Sequence, residues 1–432
     1  METTKIGMVG LGTVGSGVAK LLLEHADRIA RQAGQRIELA EVVVRDAQKE
    51  RGVAVPAEIV STDLERILAR RDLHTVVHLL GGIEPARTIM LRLLDSGKNV
   101  VTANKAVLAE HGPELFAKAR AVKRSIAFDA SVGGGIPIIT NISQCLSAND
   151  VTSLVAILNG TSNFILTQME EQNASYADAV REAQQRGFAE ADPTLDVDGS
   201  DAAQKLSLLV QLAFGTRLEW QKIARQGIDS LDLVDLRFAR ELGYRIKLLA
   251  VADRQGEHLQ THVAPTLVKI GTPLAEVRGA FNAIQLVGDA VGPLLFHGLG
   301  AGQMPTASAV VADLIDTVVG RAMLTFNTLE LGAARPTNLV PVDSAHAPGR
   351  YYLRLTVEDR PGVMSESTGV LGKQGISIAS VIQHESSSDG ASSVPLVIIT
   401  HTTTDGATRG ALDEMSRLRC VRPGSVRMSI ED

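Results

Sequence analysis

From Lys5 to about residue 130 the chain alternates short apolar runs with segments of helical periodicity. The runs are "KIGMVGL", a helix to about Ile29, "IELAEVVV", a helix near "DLERILA", "TVVHLL", a helix over "PARTIMLRLLDSG", then "NVVTA" and "SIAFDA". That rhythm predicts an α/β fold, a doubly wound parallel sheet. From Val151 to about Gly300 strands ("VTSLVAIL", "RIKLLAVAD", "THVAPTLV") mix with longer helices, as in a separate α+β domain. A long helix is expected from about Pro305 to Ala322. After it, "AARPTNLVPVDSAHAPGR" has three prolines and no periodicity and reads as a linker. The remainder reads strand, helix, strand, strand, helix, strand. The expected domains are 1–134, completed by a returning helix near 305–325; 135–334; a linker at 335–349; and 350–432.

Composition narrows the function. A chain of 432 residues with 45% hydrophobic and 21% charged residues has the make-up of an ordinary globular protein. The net charge of -6 and 3% aromatics offer neither the basic excess nor the stacking platforms that nucleic acid requires. Cys145 and Cys420 are too far apart in sequence to suggest a framework and read as reduced thiols. No apolar run reaches ~18 residues, and "METTK" leads directly into a strand, so neither a membrane span nor a signal peptide is expected. These features predict a cytoplasmic protein.

"VGLGTVGSG" places Gly10, Gly12 and Gly15 at dinucleotide-binding spacing, after a strand and at the start of a helix, with Leu11, Thr13 and Val14 between them. Gly10 permits the tight turn, Gly12 lets backbone approach a pyrophosphate, and Gly15 lets helix and strand pack closely. The second strand ends in Arg45 and Asp46 rather than in a clean acidic residue. A guanidinium there can pair with a 2′-phosphate, which favours NADP without excluding NAD; an exposed loop arginine is the plainer alternative. "TANKAVLA" sets Asn104 and Lys105 at the carboxyl edge of the sheet, where such sheets bind ligands, or Lys105 simply starts a surface helix. In "FDASVGGGIPII", three glycines beside Asp129 form either an interdomain hinge or a carbonyl nest for a hard cation.

The stretch "EADPTLDVDGSDAAQK", Glu190 to Lys205, has five carboxylates in twelve residues. It fails the calcium-loop spacing, which needs a glycine sixth and a glutamate twelfth. A solvated helix-capping turn and a substrate-holding loop remain. In the helix that follows, Asp201, Lys205, Leu208 and Leu212 share one stripe, Ala202, Leu206, Leu209, Val210 and Ala213 continue it, and Gln204, Ser207 and Gln211 form the polar face. Lys205 therefore lies on the side away from water, either in a structural ion pair or as a proton-transfer group.

Taken in order, "VGLGTVG", "LLGG", "TANK", "SVGGGIPI", "NGTSNFIL", "GFAEADPTLDVDGSDAAQKL", "GAGQMPTASAV" and "DRPGVM" cover essentially the whole chain. Together they resemble homoserine dehydrogenase of the monofunctional bacterial type with a C-terminal ACT domain. The resemblance implies a Rossmann-type nucleotide domain, an α+β substrate and dimerisation domain, and a βαββαβ ACT domain. It implies reduction of aspartate 4-semialdehyde to homoserine with NADPH or NADH, on the route to threonine, isoleucine and methionine. Lys205 would donate the proton and Asp201 orient it, with Lys105 beside nicotinamide and substrate. Glu190 and Asp201 would hold the substrate ammonium, with Gly187 backbone, and with Asp192 and Asp196 of second rank. Gly81 and Gly302 would touch the cofactor. A monovalent cation, usually sodium, would sit on carbonyls of Val132, Gly134 and Ile136 and on the acid at Asp129, where glutamate is usual. A homodimer or homotetramer, and a threonine effector at the Pro361–Gly362 turn, complete the expectation. Truncation near His346 is expected to leave an active core. An amino-acid sensor without turnover and another semialdehyde or imine reductase are the competing readings; the first predicts no functional lysine.

Overall fold

The computed structural model describes residues 1–329, 339–342, 344–384 and 393–431. They form two compact units, one of Met1–Val151, Gln204–Lys222 and Leu286–Asn338, the other of Thr152–Ala203, Ile223–Gln285 and Leu339–Asp432.

The first unit opens with β1 (Thr3–Val9), α1 (Thr13–Glu24), α2 (Ala26–Ala33), β2 (Arg36–Val43), β3 (Val60–Ser61), α3 (Glu65–Leu68), β4 (Leu73–His78), α4 (Ala86–Asp95), β5 (Asn99–Thr102), α5 (Lys105–Ala121), β6 (Ile126–Ala127) and α6 (Ile138–Thr140). The strands order β3-β2-β1-β4-β5-β6, and every ladder is parallel. Ile6, Met8, Val42, Val76, Val77, Val100 and Val101 are buried, as strands covered on both faces require. The order reverses between β1 and β4, which puts the ligand crevice beyond their carboxyl ends. The single helix expected to Ile29 is two, parted at His25.

The second unit is built on β7 (Val151–Ile157), α7 (Gly160–Gln172), α8 (Tyr176–Gln185), α9 (Thr194–Val197), α10 (Ser200–Phe214), β8 (Ala224–Arg225), α11 (Leu233–Glu241), β9 (Tyr244–Gln255), β10 (His258–Lys269) and β11 (Phe281–Gly288). The division between the units falls inside α10, after Ala203. The chain then returns to the first unit with β12 (Gly292–Leu299), α12 (Gln303–Val318) and α13 (Arg321–Leu329). One helix was expected over 305–322; Gly320, at φ +87°, breaks it into these two. Gly17 lets α1 and α12 pack closely: a Cβ there would lie 2.9 Å from that of Ala307.

The C-terminal residues contain β13 (Val340–Val342), β14 (Pro348–Glu358), α14 (Val363–Lys373), β15 (Ile378–Gln383), β16 (Ser393–Thr400), β17 (Thr403–Thr404), α15 (Asp405–Met415) and β18 (Val421–Glu431). The βαββαβ reading holds, with β18-β14-β16-β15 as its antiparallel order. The stretch read as a linker nevertheless contains β13, which pairs with β10; the expected linker residues 335–338 and 343 lie outside the described ones. β18 also pairs with β10 in parallel, Thr266 opposite Ser429, so this segment continues the sheet β11-β7-β9-β10. Among the described residues no helix is long and apolar enough to cross a membrane. Both cysteines are free.

Candidate active site

In the first unit the glycine turn is shaped by contact. A Cβ on Gly10, at φ +98°, would lie 2.8 Å from the Leu79 carbonyl, and one on Gly15 would lie 2.3 Å from that of Gly10. Above Gly12 there is open space to 4 Å, and no side chain caps α1. The residues therefore fit a pyrophosphate on the N-terminus of α1. Leu11 is buried, while Gly12 and Thr13 are exposed.

Arg45 is exposed beyond the end of β2. A second guanidinium, not singled out in the sequence, ties its loop down: Arg51 donates from Nε to the Leu11 carbonyl at 3.1 Å and from Nη2 to that of Asp46 at 2.6 Å. Its signal was an arginine six positions on in the same loop. Gly302 is the N-cap of α12 at φ +129°, and Gln303 beside it donates to the Thr13 carbonyl at 3.1 Å.

Lys105 starts α5, and Asn104 caps it by accepting from Val107 N at 3.0 Å. The Asn104 amide also donates to the Leu80 and Gly82 carbonyls, both at 2.8 Å, clasping the loop that carries Gly81. One buried asparagine thus fixes two predicted cofactor residues.

The predicted cation turn is held differently from expectation. The Asp129 carboxylate accepts from Ile139 N at 2.8 Å and from Thr140 N at 3.2 Å, capping α6, and from the Thr140 hydroxyl at 3.3 Å. Burial raises its pKa to about 6, and burial beside Asp129 pushes Asp313 up as well. Asp313 in turn accepts from Asp129 N at 2.8 Å. The Ile136 carbonyl accepts from Ile138 N at 2.8 Å. Val132 is buried, and Gly134, at φ +56°, packs against Gly300. Among the described residues no three His, Cys, Asp or Glu side chains are grouped for a metal.

In the second unit the acidic stretch sorts into three roles. Asp192 and Asp198 cap turns, accepting from Thr194 N at 3.1 Å and Ser200 N at 2.7 Å respectively. The Thr194 hydroxyl, donating to the same carboxylate at 2.5 Å, and then the Thr194 N–H hold the Asp192 pKa down. Glu190 and Gly187 are exposed, and Gln184 donates to the Glu190 carbonyl at 3.2 Å. Asp196 and Asp201 are gathered by Asn159, whose amide donates to Asp196 Oδ1 at 2.7 Å and to Asp201 Oδ2 at 2.9 Å. Asn159 itself caps α7, accepting from Ser162 N at 2.7 Å, and the Ser162 hydroxyl donates to the Asp196 carbonyl at 2.8 Å. Asn159 stands in "NGTSNFIL", where an asparagine before a glycine at a helix start was the available signal.

Lys205 is 8% exposed and Asp201 6%, one turn apart on α10, so the stripe read from the sequence is buried as far as Val210, while Leu212 and Ala213 at its end are half-buried. Ser207, assigned to the polar face, is buried too; its hydroxyl turns back to the Gln204 carbonyl at 2.8 Å.

Comparison with known proteins agrees with this geometry. The family profile "Homoserine dehydrogenase" matches residues 137–315, "Homoserine dehydrogenase, NAD binding domain" matches 10–129, and "ACT domain" matches 351–419. A homoserine dehydrogenase of Pseudomonas aeruginosa is 40% identical over 100% of this chain and 99% of its own. One from Synechocystis is 41% identical over 97% and 98%. The crystal structure of a homoserine dehydrogenase from Thiobacillus denitrificans, 38% identical, superposes over 100% of this chain and 99% of its own with a TM-score of 0.91. With its nucleotide, catalytic and ACT segments all matched in order, the chain belongs to the homoserine dehydrogenase family.

Proposed function

We propose that this chain reduces L-aspartate 4-semialdehyde to L-homoserine, and runs the reverse, within threonine, isoleucine and methionine biosynthesis. The observation that carries the reading is the Asn159 clasp on Asp196 and Asp201, one helical turn before buried Lys205. When bound, the nicotinamide cofactor supplies or accepts the hydride at the carbonyl carbon. Lys205 donates the proton to the aldehyde oxygen, and takes it back in the reverse direction, with Asp201 orienting it. Glu190, Asp196 and Asp201 draw the substrate ammonium, with Gly187 backbone. Lys105, fixed at the start of α5, binds the cofactor or assists the proton transfer.

The Gly10–Gly15 turn, Gly81 and Gly302 hold the dinucleotide. Arg45, supported by the Arg51 strap, pairs with a 2′-phosphate, so NADP is preferred over NAD. A sodium ion would rest on the carbonyls of Val132, Gly134 and Ile136. Asp129, its carboxylate committed to α6, contributes by shaping the turn. The protein acts in the cytoplasm as a homodimer or homotetramer, with threonine as effector of the ACT domain. The test is absorbance of reduced nicotinamide when homoserine and NADP⁺ are mixed with the protein at alkaline pH. A matched titration with NAD⁺ on Arg45→Ala should show the larger loss for NADP⁺. No turnover with either cofactor sinks the reading.

A further inference from the structure

A buried lysine that the chemistry does not use stands in the second unit. Lys247, on β9, is 2% exposed, and no carboxylate pairs with it among the described residues. Its ammonium donates instead to the side-chain carbonyl of Asn163 at 3.1 Å and to the backbone carbonyl of Val277. An ammonium taken out of water and given only neutral acceptors is costly, and an apolar side chain would fill the same space. Packing alone does not account for it.

What Asn163 holds does account for it. With its oxygen taken by Lys247, the amide is turned so that its nitrogen donates to the carbonyls of Val277, Gly279 and Phe281, at 3.2, 2.9 and 3.2 Å. One turn further along α7, the Thr167 hydroxyl accepts from Gly279 N at 3.1 Å. Segment 277–282 is thereby pinned across the start of α7, where it brackets Asn159. The Asn282 amide donates to the Leu158 carbonyl at 3.0 Å, and a Cβ on Gly160 would lie 2.7 Å from the Ala280 carbonyl. Both chain neighbours of Asn159 therefore rest on the pinned segment.

We propose that Lys247 and Asn163 are positioning residues for the reaction: they seat segment 277–282 against α7, and the segment sets where Asn159 presents its amide to Asp196 and Asp201. Their effect on the substrate runs through Asn159, so the inference rests on the reading of that acidic pair as the ammonium site. The two bonds from the Asn159 amide, 2.7 and 2.9 Å long, leave one nitrogen, and a small displacement of Leu158–Gly160 misaligns both together. The glycine turn of the nucleotide site belongs to the first unit, so the defect should fall on homoserine and spare the cofactor.

Steady-state kinetics with homoserine and NADP⁺ on Lys247→Met, Asn163→Ala and Gly160→Ala tests this. The first two release the segment by removing hydrogen bonds. Gly160→Ala removes none and displaces the segment through the added Cβ, which keeps the test intact where the polar variants fold poorly. Each should raise the KM for homoserine about three- to tenfold with a smaller change in kcat, while the KM for NADP⁺ stays within about twofold. Added to Asn159→Ala, Lys247→Met and Gly160→Ala should cost nothing further, because the clasp they act through is already gone. Additive losses in the double variants overturn the proposal, as do equal losses for homoserine and NADP⁺. A homoserine KM that rises in Asn159→Ala but stays at the parent value in folded Gly160→Ala and Lys247→Met overturns it alone. A KM that Asn159→Ala leaves unmoved removes the ammonium-site reading, and the proposal with it.

Discussion

Two carboxylate centres of the second unit, one fully buried at Asp235 and one joining buried Asp201 to half-buried Asp196, are treated in different ways. Asp235, on α11, accepts from Arg354 Nε at 2.6 Å and Nη2 at 3.0 Å, and from the Tyr352 hydroxyl at 3.0 Å. Its partners on β14 are a planar guanidinium, which holds its proton at any working pH, and a phenol. Asp196 and Asp201 are bracketed instead by the Asn159 amide, which donates hydrogen bonds without adding charge, and the nearby cation on α10 is a lysine. A guanidinium fixes geometry and releases nothing. An ammonium can give up a proton and take it back. The choice of cation separates a strut from a site.

The largest effect is expected from breaking the strut. Arg354→Met leaves Asp235 buried and uncompensated, and the stability of the second unit should fall by about 3–5 kcal/mol, read as a lower urea midpoint. The double variant Asp235→Leu/Arg354→Met should recover most of that. A single variant within ~1 kcal/mol of the parent would show that the pair is not the strut described. The same reasoning revises the truncation expected at the linker. Cutting at His346 removes Arg354, Tyr352 and the β18 partner of β10 together, so the shortened chain should unfold readily rather than persist as an active core.

Next comes the exchange of cations at the site. Lys205→Met should lower turnover by ~10²-fold or more with cofactor binding nearly intact, the usual scale for losing a general acid. Lys205→Arg should fare little better, because it keeps the charge and loses the transferable proton. Turnover near the parent value in the arginine variant would mean that charge alone suffices there.

Asn159→Ala tests the neutral half of the comparison. With the amide gone, Asp196 and Asp201 lose their common donor, and the KM for homoserine should rise about tenfold with a smaller change in kcat. A fall in kcat at constant KM would assign Asn159 to the chemical step instead.

How far these centres were legible in the sequence follows from the range of their interactions. The glycine turn, Lys105 and the Asp201–Lys205 stripe are local patterns, set by spacing within one element, and the structure places them on the elements expected. Asn159 and Asn104 were not singled out as clasps because each acts across long separations, on Asp196 and Asp201 and on the Leu80–Gly82 loop, where periodicity carries no signal. Arg354 lies in "YYLRLTVED", which alternates as a half-exposed strand should; its burial depends on α11, more than a hundred residues earlier. The linker was misjudged in part for the same reason. β13 is three residues long and exists by pairing with β10, a contact that local composition cannot report.

The smallest expected effect concerns a third way of burying a carboxylate. Asp129 has two backbone N–H donors and one hydroxyl, the Asp313 carboxylate accepts from its own N–H, and burial raises the Asp129 pKa to about 6. The unfolded chain holds this group near the ordinary value of 3.8, so between that pH and about 6 the folded state binds the extra proton. Its contribution to stability therefore falls as pH rises through that window and is constant above it, opposite to Asp72, whose hydrogen bond from Arg70 lowers its pKa to about 2. Asp129→Asn keeps an oxygen for Ile139 N and cannot ionise. Burial still holds the Asp313 pKa up in that variant, and losing the neighbouring charge eases it only in part, which takes back some of the gain. The variant should match the parent near pH ~4 and exceed it by about 1 kcal/mol near pH ~7. A difference that stays flat across that range, or that favours the parent at the higher pH, would show that Asp129 is stabilised as an anion after all, as a bound cation beside it would require.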